Sequence, residues 1–489
     1  MVFHRKSLGI ILLGLSFPTL VCAADDTPHP SIFNIKNWFS PSNPESDVVQ
    51  LRASDLVAKM PPQQQPLSTQ DRLDASKILT QQEAIRLAVN HHPSISSALA
   101  TLAQQGSGKD AARAGYYPQI SGGVNAGLLN TGYQVKQDPA QVASIKLTQM
   151  LYDFGKVSSR VSQAEYFIQK QKAVVIKQID QISIQTAEAV VATHRYQALV
   201  NIAQGQVDAT ARVTDMARLR AKAGISTMSD PIQAQSRLEA SQANLLQVKS
   251  QYQQSRERLR TLMGVALEGD VADMPPGLLE AAQLNTPPNI AALPDVLIAE
   301  ADLGASQALL QSTKADGYPT ISLEADYNKA LNGLNPTTFV DRGQNSTIGI
   351  SASTYIYQGG ANKAQVKAAT YAADAARQQV NVAQLNTYDQ VRLYRSQIDG
   401  SQGRLDVLSQ RKLSIIRTRE LYQEQYKLGT RSILDLLNAE QEIYQSEADE
   451  ESVRHDLWLS LVDYIGAVGL ARSAFGLNNT SVQGVEILP

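Results

Sequence analysis

Tyr117-Pro118-Gln119-Ile120-Ser121 returns in the second half of the chain as Tyr318-Pro319-Thr320-Ile321-Ser322. The same spacing carries His92-Pro93-Ser94-Ile95 onto Leu293-Pro294-Asp295-Val296. A slightly longer spacing carries Leu151-Tyr152-Asp153-Phe154-Gly155 onto Ile356-Tyr357-Gln358-Gly359-Gly360, and Gly224 and Asp230 onto Gly429 and Asp435. Agreement in this order implies two tandem halves of about 200 residues, far longer than a solenoid unit. The first repeat is expected over 79–280 and the second over 281–475.

Each half opens with two alternating segments. Ile120, Gly122, Val124, Ala126 and Leu128 share one face, with Gln119, Ser121 and Asn125 on the other. Ala143, Ile145 and Leu147 alternate with Ser144, Lys146 and Thr148. The second half repeats this with Ile321, Leu323, Ala325 and Tyr327, and then with Ile348, Ile350 and Ala352. Period two with one apolar face predicts half-buried strands, here over 117–130, 142–153, 318–328 and 346–357. Their lengths suit tilted strands that cross a bilayer. Alternation alone also allows a soluble sandwich, because barrel signals are weak per segment.

Downstream of each strand pair the pattern becomes long and helical. Residues 156–230 hold no proline, and neither do 337–488. Every seventh residue from Val161 gives Ile168, Val175, Ile182, Ala189, Tyr196 and Ala203. The series from Val366 gives Ala373, Val380, Thr387, Tyr394, Ser401, Leu408, Ile415 and Tyr422, less cleanly apolar. A seven-residue seam this long predicts coiled-coil helices over 156–222 and 360–428. At about 1.5 Å per residue each is about 100 Å long, beyond the diameter of a compact domain. Gly224 and Gly429 are placed to end them in a left-handed cap. Returning helices are expected over 230–264, capped by Asp230, and over 432–474. Upstream, Thr80 and Glu83 form a capping-box pair, and Pro93 breaks the helix that they start.

The 489 residues carry a net charge of −2, 43% hydrophobic residues and 6% aromatics. Such a charge offers no basic field for nucleic acid. Low aromatic content suits thin helices packed side by side. Cys22 is the one cysteine, which excludes an intrachain disulfide. His4, Arg5 and Lys6, the apolar run Leu8 to Leu20 and the small residues around Ala23 predict a signal peptide over 1–24. A membrane anchor is the alternative, but the run is too short for a span. Residues 25–78 read as a Pro/Gln-rich extension and 476–489 as a C-terminal tail.

No other stretch is apolar enough for a membrane helix, so any span must be a closed β-barrel. Four strands cannot close one, and open edges in lipid strand backbone groups at several kcal/mol each. Several copies must therefore share the wall. No His-Glu-x-x-His, Gly-x-Ser-x-Gly or Walker-type pattern is present, so neither an enzyme nor a cofactor or metal is expected. His91-His92 reads as a helix end, and His194 and His455 as solvated or interface residues.

The run Tyr426-Lys427-Leu428-Gly429-Thr430-Arg431-Ser432-Ile433-Leu434-Asp435-Leu436-Leu437-Asn438-Ala439-Glu440 resembles the TolC family of outer-membrane factors, a likeness that extends over about residues 79–475. The resemblance implies a mainly α homotrimer: a twelve-stranded barrel in outer-membrane lipid on a helical coiled-coil tunnel through the periplasm. It implies a tunnel held shut by Tyr426, Arg431 and Asp435, with Ser229 and Asp230 as acceptors. A second family aspartate is Asn438 here, so no doubly acidic entrance ring is expected. An ordinary helix pair of Arg431 and Asp435 remains the alternative. The turns Ala223-Gly224-Ile225 and Leu428-Gly429-Thr430 are implied contacts for a periplasmic adaptor, itself joined to an inner-membrane ABC or proton-driven transporter. Residues 432–442 look more like members serving type I protein secretion. Drug or small-molecule efflux is the alternative, and a coiled-coil structural protein without a pore is the alternative of another class.

Overall fold

The computed structural model describes residues 78–128, 139–267, 269–275 and 277–487. The signal expected over 1–24, and the extension over 25–78 apart from Ile78, lie outside the described residues.

Thr80 caps α1 (Gln81–His91) through the reciprocal capping box with Glu83. His92 then caps α2 (Pro93–Arg113), its ring accepting from the Ser94 backbone N–H. Strands β1 (Gln119–Leu128) and β2 (Pro139–Tyr152) come next, then α3 (Lys156–Lys222) and α4 (Ser229–Met263). A link containing the short α5 (Leu278–Ala281) leads to α6 (Pro294–Ala315). The second half gives β3 (Thr320–Asn332), β4 (Gln344–Ser353), α7 (Ala361–Lys427) and α8 (Ile433–Ala467). The two long helices have 67 residues each and the two returning helices 35 each.

The strands form one antiparallel sheet in the order β1-β2-β3-β4, joining the halves at β2 and β3. Its register sets Ile120 opposite Leu147, Ile145 opposite Tyr327, and Leu323 opposite Ile350. Apart from Leu128, whose side chain is not described, the apolar residues of the alternating pattern therefore share one face. On the other, Lys146 pairs with Glu324 at 2.8 Å. The fourth strand stops at Ser353 rather than near 357, because its partner ladder ends at Thr320 beside Pro319, which has no N–H to donate.

α3 lies at the centre of the helical part and buries Val175, Ile182, Ala189 and Ala203 of its seam. Ser183, Thr186 and Thr193 stay buried there by donating to carbonyls one turn back. Gly304 of α6 passes the Tyr166 ring so closely that a Cβ would stand 2.4 Å from it. α7 differs: only Ala369, Ala373, Thr387, Ile398 and Tyr426 are buried. Tyr371, Leu385, Val407 and Leu413 are each more than 60% exposed.

Further expectations need correction. The last returning helix ends at Ala467, not 474, since Gly469 (φ 74°) closes it before the short α9 (Ala471–Ala474). The tail is no loose end. β5 (Thr480–Val482) and β6 (Val485–Ile487) form a hairpin that buries Leu477, Val482, Val485 and Ile487 in the core with α1. His194 and His455 are not solvated but buried against each other, their ring nitrogens 2.8 Å apart.

Candidate functional site

The two helical turns are built alike. At the first, Ile225 N–H bonds the Arg220 carbonyl at 2.9 Å and Gly224 N–H the Ala221 carbonyl at 3.0 Å. At the second, Thr430 N–H bonds the Gln425 carbonyl and Gly429 N–H the Tyr426 carbonyl, both at 3.0 Å. Each is a Schellman motif, satisfying the last helical carbonyls and requiring φ near +75°, which Gly224 (72°) and Gly429 (77°) supply. Around these caps Ile225, Met228, Ile232 and Leu428 stand exposed. Asp230 is not the helix cap. α4 starts at Ser229, and Asp230 lies in its first turn, accepting from the Thr227 hydroxyl, which also bonds Ser229.

Ser432 caps α8 by accepting from the Asp435 N–H, and its hydroxyl donates back to Asp435 Oδ2 at 3.0 Å. Arg431 lies 3.6 Å from the same carboxylate, donates to Gln425 Oε1 at 3.0 Å and covers the Tyr422 ring at 4.4 Å. No bond from Arg431 to Ser229 or Asp230 of the same chain is present among the described residues. Tyr426 is 3% exposed and packs among Val213, Ala217, Ala234, Ile433, Leu436 and Leu437. Burial pushes its phenol above the usual range, against the pull of Arg220. Asn438 is exposed and accepts a long 3.5 Å bond from Arg237.

Sequence reasoning missed Arg220. Its guanidinium donates to the Lys427 carbonyl at 3.1 Å and lies 4.9 Å over the Tyr426 ring, joining the first-half hairpin to the second. The repeat holds a weak signal, since Arg220 precedes Gly224 by the same interval that separates Gln425 from Gly429.

Where sheet meets helices, Phe154 stacks on Tyr318 at 5.2 Å and meets Tyr152 edge-on at 4.7 Å. Tyr355, Ile356 and Tyr357 are exposed by 79%, 97% and 85%. Such a collar suits the boundary between lipid and water. Farther along the helices, Glu188 and Asp463 share a hydrogen bond in a cavity of about 370 Å³ that Asp180 and Tyr394 also line. Burial first, then Asp463, pushes the Glu188 carboxyl up to about 7. Burial raises Asp463 as well.

A family model described as outer membrane efflux protein matches residues 84–265 and 290–468. The chain belongs to that family. As an outer membrane efflux protein it is 25% identical over 412 residues to the outer membrane protein TolC of Escherichia coli, covering 77% of this chain and 80% of that one. It is 24% identical over 346 residues to the alkaline protease secretion protein AprF of Pseudomonas aeruginosa, covering 67% and 70%. Among solved structures, CusC aligns with a TM-score of 0.71 over 84% of this chain and 99% of its own, at 14% identity. The family and these relatives are channel proteins rather than enzymes. The efflux-family chain is therefore an outer-membrane protein with a helical tunnel in the periplasm and a small barrel in the membrane.

Proposed function

We propose that the chain forms a homotrimeric exit duct for a tripartite export system, and that its cargo is protein delivered by type I secretion. The carrying observation is the four-stranded sheet whose outer strands β1 and β4 each have one unpaired edge. In lipid such edges must be closed, and three copies supply twelve strands, within the range of outer-membrane barrels. The exposed apolar residues of α7 give the same copies a surface on which to build the tunnel wall. At the tip, the exposed Ile225 and Leu428 at the two Schellman turns are the contacts for a periplasmic adaptor, which brings an inner-membrane transporter. Arg431 with Asp435, and Tyr426, hold the tip shut. Since Arg431 does not bond the first turn of its own chain, its further acceptors are Ser229 and Asp230 of a neighbouring copy.

AprF, named for alkaline protease secretion, supports the choice of protein cargo, as does the run 432–442. Small-molecule efflux is the second reading, favoured by the efflux protein BepC of Brucella suis, 22% identical over 369 residues. Deleting the gene and assaying secreted proteins and antibiotic sensitivity together decides between them. Lost secretion with unchanged sensitivity supports protein export. Unchanged secretion with heightened sensitivity overturns it.

A further inference from the structure

His194 of α3 and His455 of α8 face each other in the helical wall, far along the chain from the turns that form the tip. The His455 side chain is fully buried, and that of His194 is 10% exposed. The outer nitrogen of each ring is committed to a group that only accepts. His455 Nδ1 donates to the Glu451 carbonyl at 2.7 Å, and His194 Nε2 to Asp273 Oδ1 at 2.9 Å. Both outer nitrogens therefore carry hydrogen. The inner nitrogens, His194 Nδ1 and His455 Nε2, then present lone pairs to each other across 2.8 Å. Two facing lone pairs need a cation between them.

A proton satisfies that geometry, and so does a metal ion. Histidines that ligate metals have the other ring nitrogen fixed by a carboxylate or backbone carbonyl, as both rings have here. His194, His455 and Glu451 each bring a ligand atom within 4.8 Å of the others. The neighbouring arginines each have a carboxylate partner: Arg195 bonds Asp456, and Arg454 bonds Glu450 and one oxygen of Glu451. The other Glu451 oxygen lies 3.5 Å from His455 Nδ1. Trp458 walls the pair, its ring 4.7 Å from His455 and 5.7 Å from His194. Asp273, whose side chain is 98% exposed, opens the cluster to solvent on the His194 side.

We propose that His194 Nδ1 and His455 Nε2 bind one divalent transition cation of the zinc class, that the Glu451 carboxylate, now beside the outer nitrogen of His455, turns in as third ligand, and that Asp273 orients His194 for it. Imidazole suits such borderline cations, whereas calcium and magnesium favour oxygen-only sites. Bonds of about 2.0–2.1 Å at a tetrahedral angle require about 3.3 Å between the two nitrogens, an opening of about 0.5 Å that small side-chain rotations provide. Such a cation would tie α3, α8 and the link after α4 together. This inference is independent of the cargo that the duct carries.

Trp458 supplies the readout. The chain has two tryptophans, so in a Trp38→Phe background its emission reports on the cluster alone. Paramagnetic Co²⁺ titrated into the purified full-length protein in detergent should quench that emission, saturating at one ion per chain. Excess Zn²⁺, which lies above Co²⁺ in affinity order and is diamagnetic, should restore it. His194→Gln and His455→Gln should each abolish saturable quenching, with folding checked by unchanged circular dichroism. His91→Ala with His92→Ala should leave it intact. Asp273→Asn should retain binding but weaken it about 10–100-fold, as loss of an outer hydrogen bond does. Absence of saturable quenching, which leaves a shared proton between the rings, overturns the proposal, as does quenching that survives in folded His194→Gln.

Discussion

Arg220 and Tyr426, from opposite halves of the chain, are stacked with the guanidinium 4.9 Å over the ring, and the same guanidinium caps the carbonyl of Lys427 at 3.1 Å. It joins one hairpin to the other within a single chain, beside the apolar cluster of Val213, Ala217 and Ala234 with Tyr426 and Leu436. A cation–π contact and a charged hydrogen bond together are worth about 2 kcal/mol in a partly buried site. Arg220→Ala should therefore favour a separated tip by roughly 30-fold in equilibrium. Single-channel recordings in planar bilayers should show longer or larger openings. Wild-type conductance in that variant would show that the two hairpins do not need this contact to stay together.

Arg431→Ser tests the neighbouring part of the tip. The pair with Asp435 is 3.6 Å long and about 40% exposed on both sides, so within one chain it contributes at most about 0.5 kcal/mol. Its bond to Gln425 and its contact with Tyr422 lie within the same hairpin, so a large rise in conductance or antibiotic leakage points to a contact between copies. An unchanged channel would reduce Arg431 and Asp435 to an ordinary helix pair.

Gly304 marks the closest approach between α6 and α3. A methyl group there would stand 2.4 Å from Tyr166 Cε1. Gly304→Ala should cost about 1–3 kcal/mol through forced repacking, seen as a lowered thermal transition. Adding Tyr166→Leu should recover part of the loss. Equal stability of Gly304→Ala and wild type would mean that the ring swings aside freely.

The carboxyl pair of Glu188 and Asp463 makes stability depend on pH. Burial and the neighbouring carboxyl raise Glu188 from 4.5 to about 7, so the folded protein holds a proton that the unfolded chain releases. Stability from this group is complete below 4.5 and is lost as pH rises through about 7. Glu188→Gln keeps a hydrogen-bonding side chain without the charge. Its melting temperature should match wild type near pH 4 and exceed it near about pH 8. Identical pH profiles for the two proteins would exclude ionisation of this pair as a source of strain.

The long helices, their glycine caps and the four strands were legible because each is written locally. Alternation marks Ile120 to Leu128, a seven-residue seam marks Val161 to Ala203, and Gly224 and Gly429 punctuate the ends. Side-chain contacts from α3 to residues of the second half left no such trace. Arg220 with Tyr426, His194 with His455, and Glu188 with Asp463 join residues more than 200 positions apart, and each partner alone reads as an ordinary helix residue. The hairpin within the tail was not legible because β5 and β6 are 3 residues each, too short for alternation to show, although their apolar side chains complete the core.

The matching lengths of the helical hairpins, 67 and 35 residues in each half, have a geometric consequence. Copies arranged around an axis would repeat their backbone twice as often as their sequence. The two kinds of hairpin would then occupy nearly equivalent places in the ring, differing only in side chains such as Arg220 against Gln425. The two kinds of stave would then be told apart by surface chemistry alone.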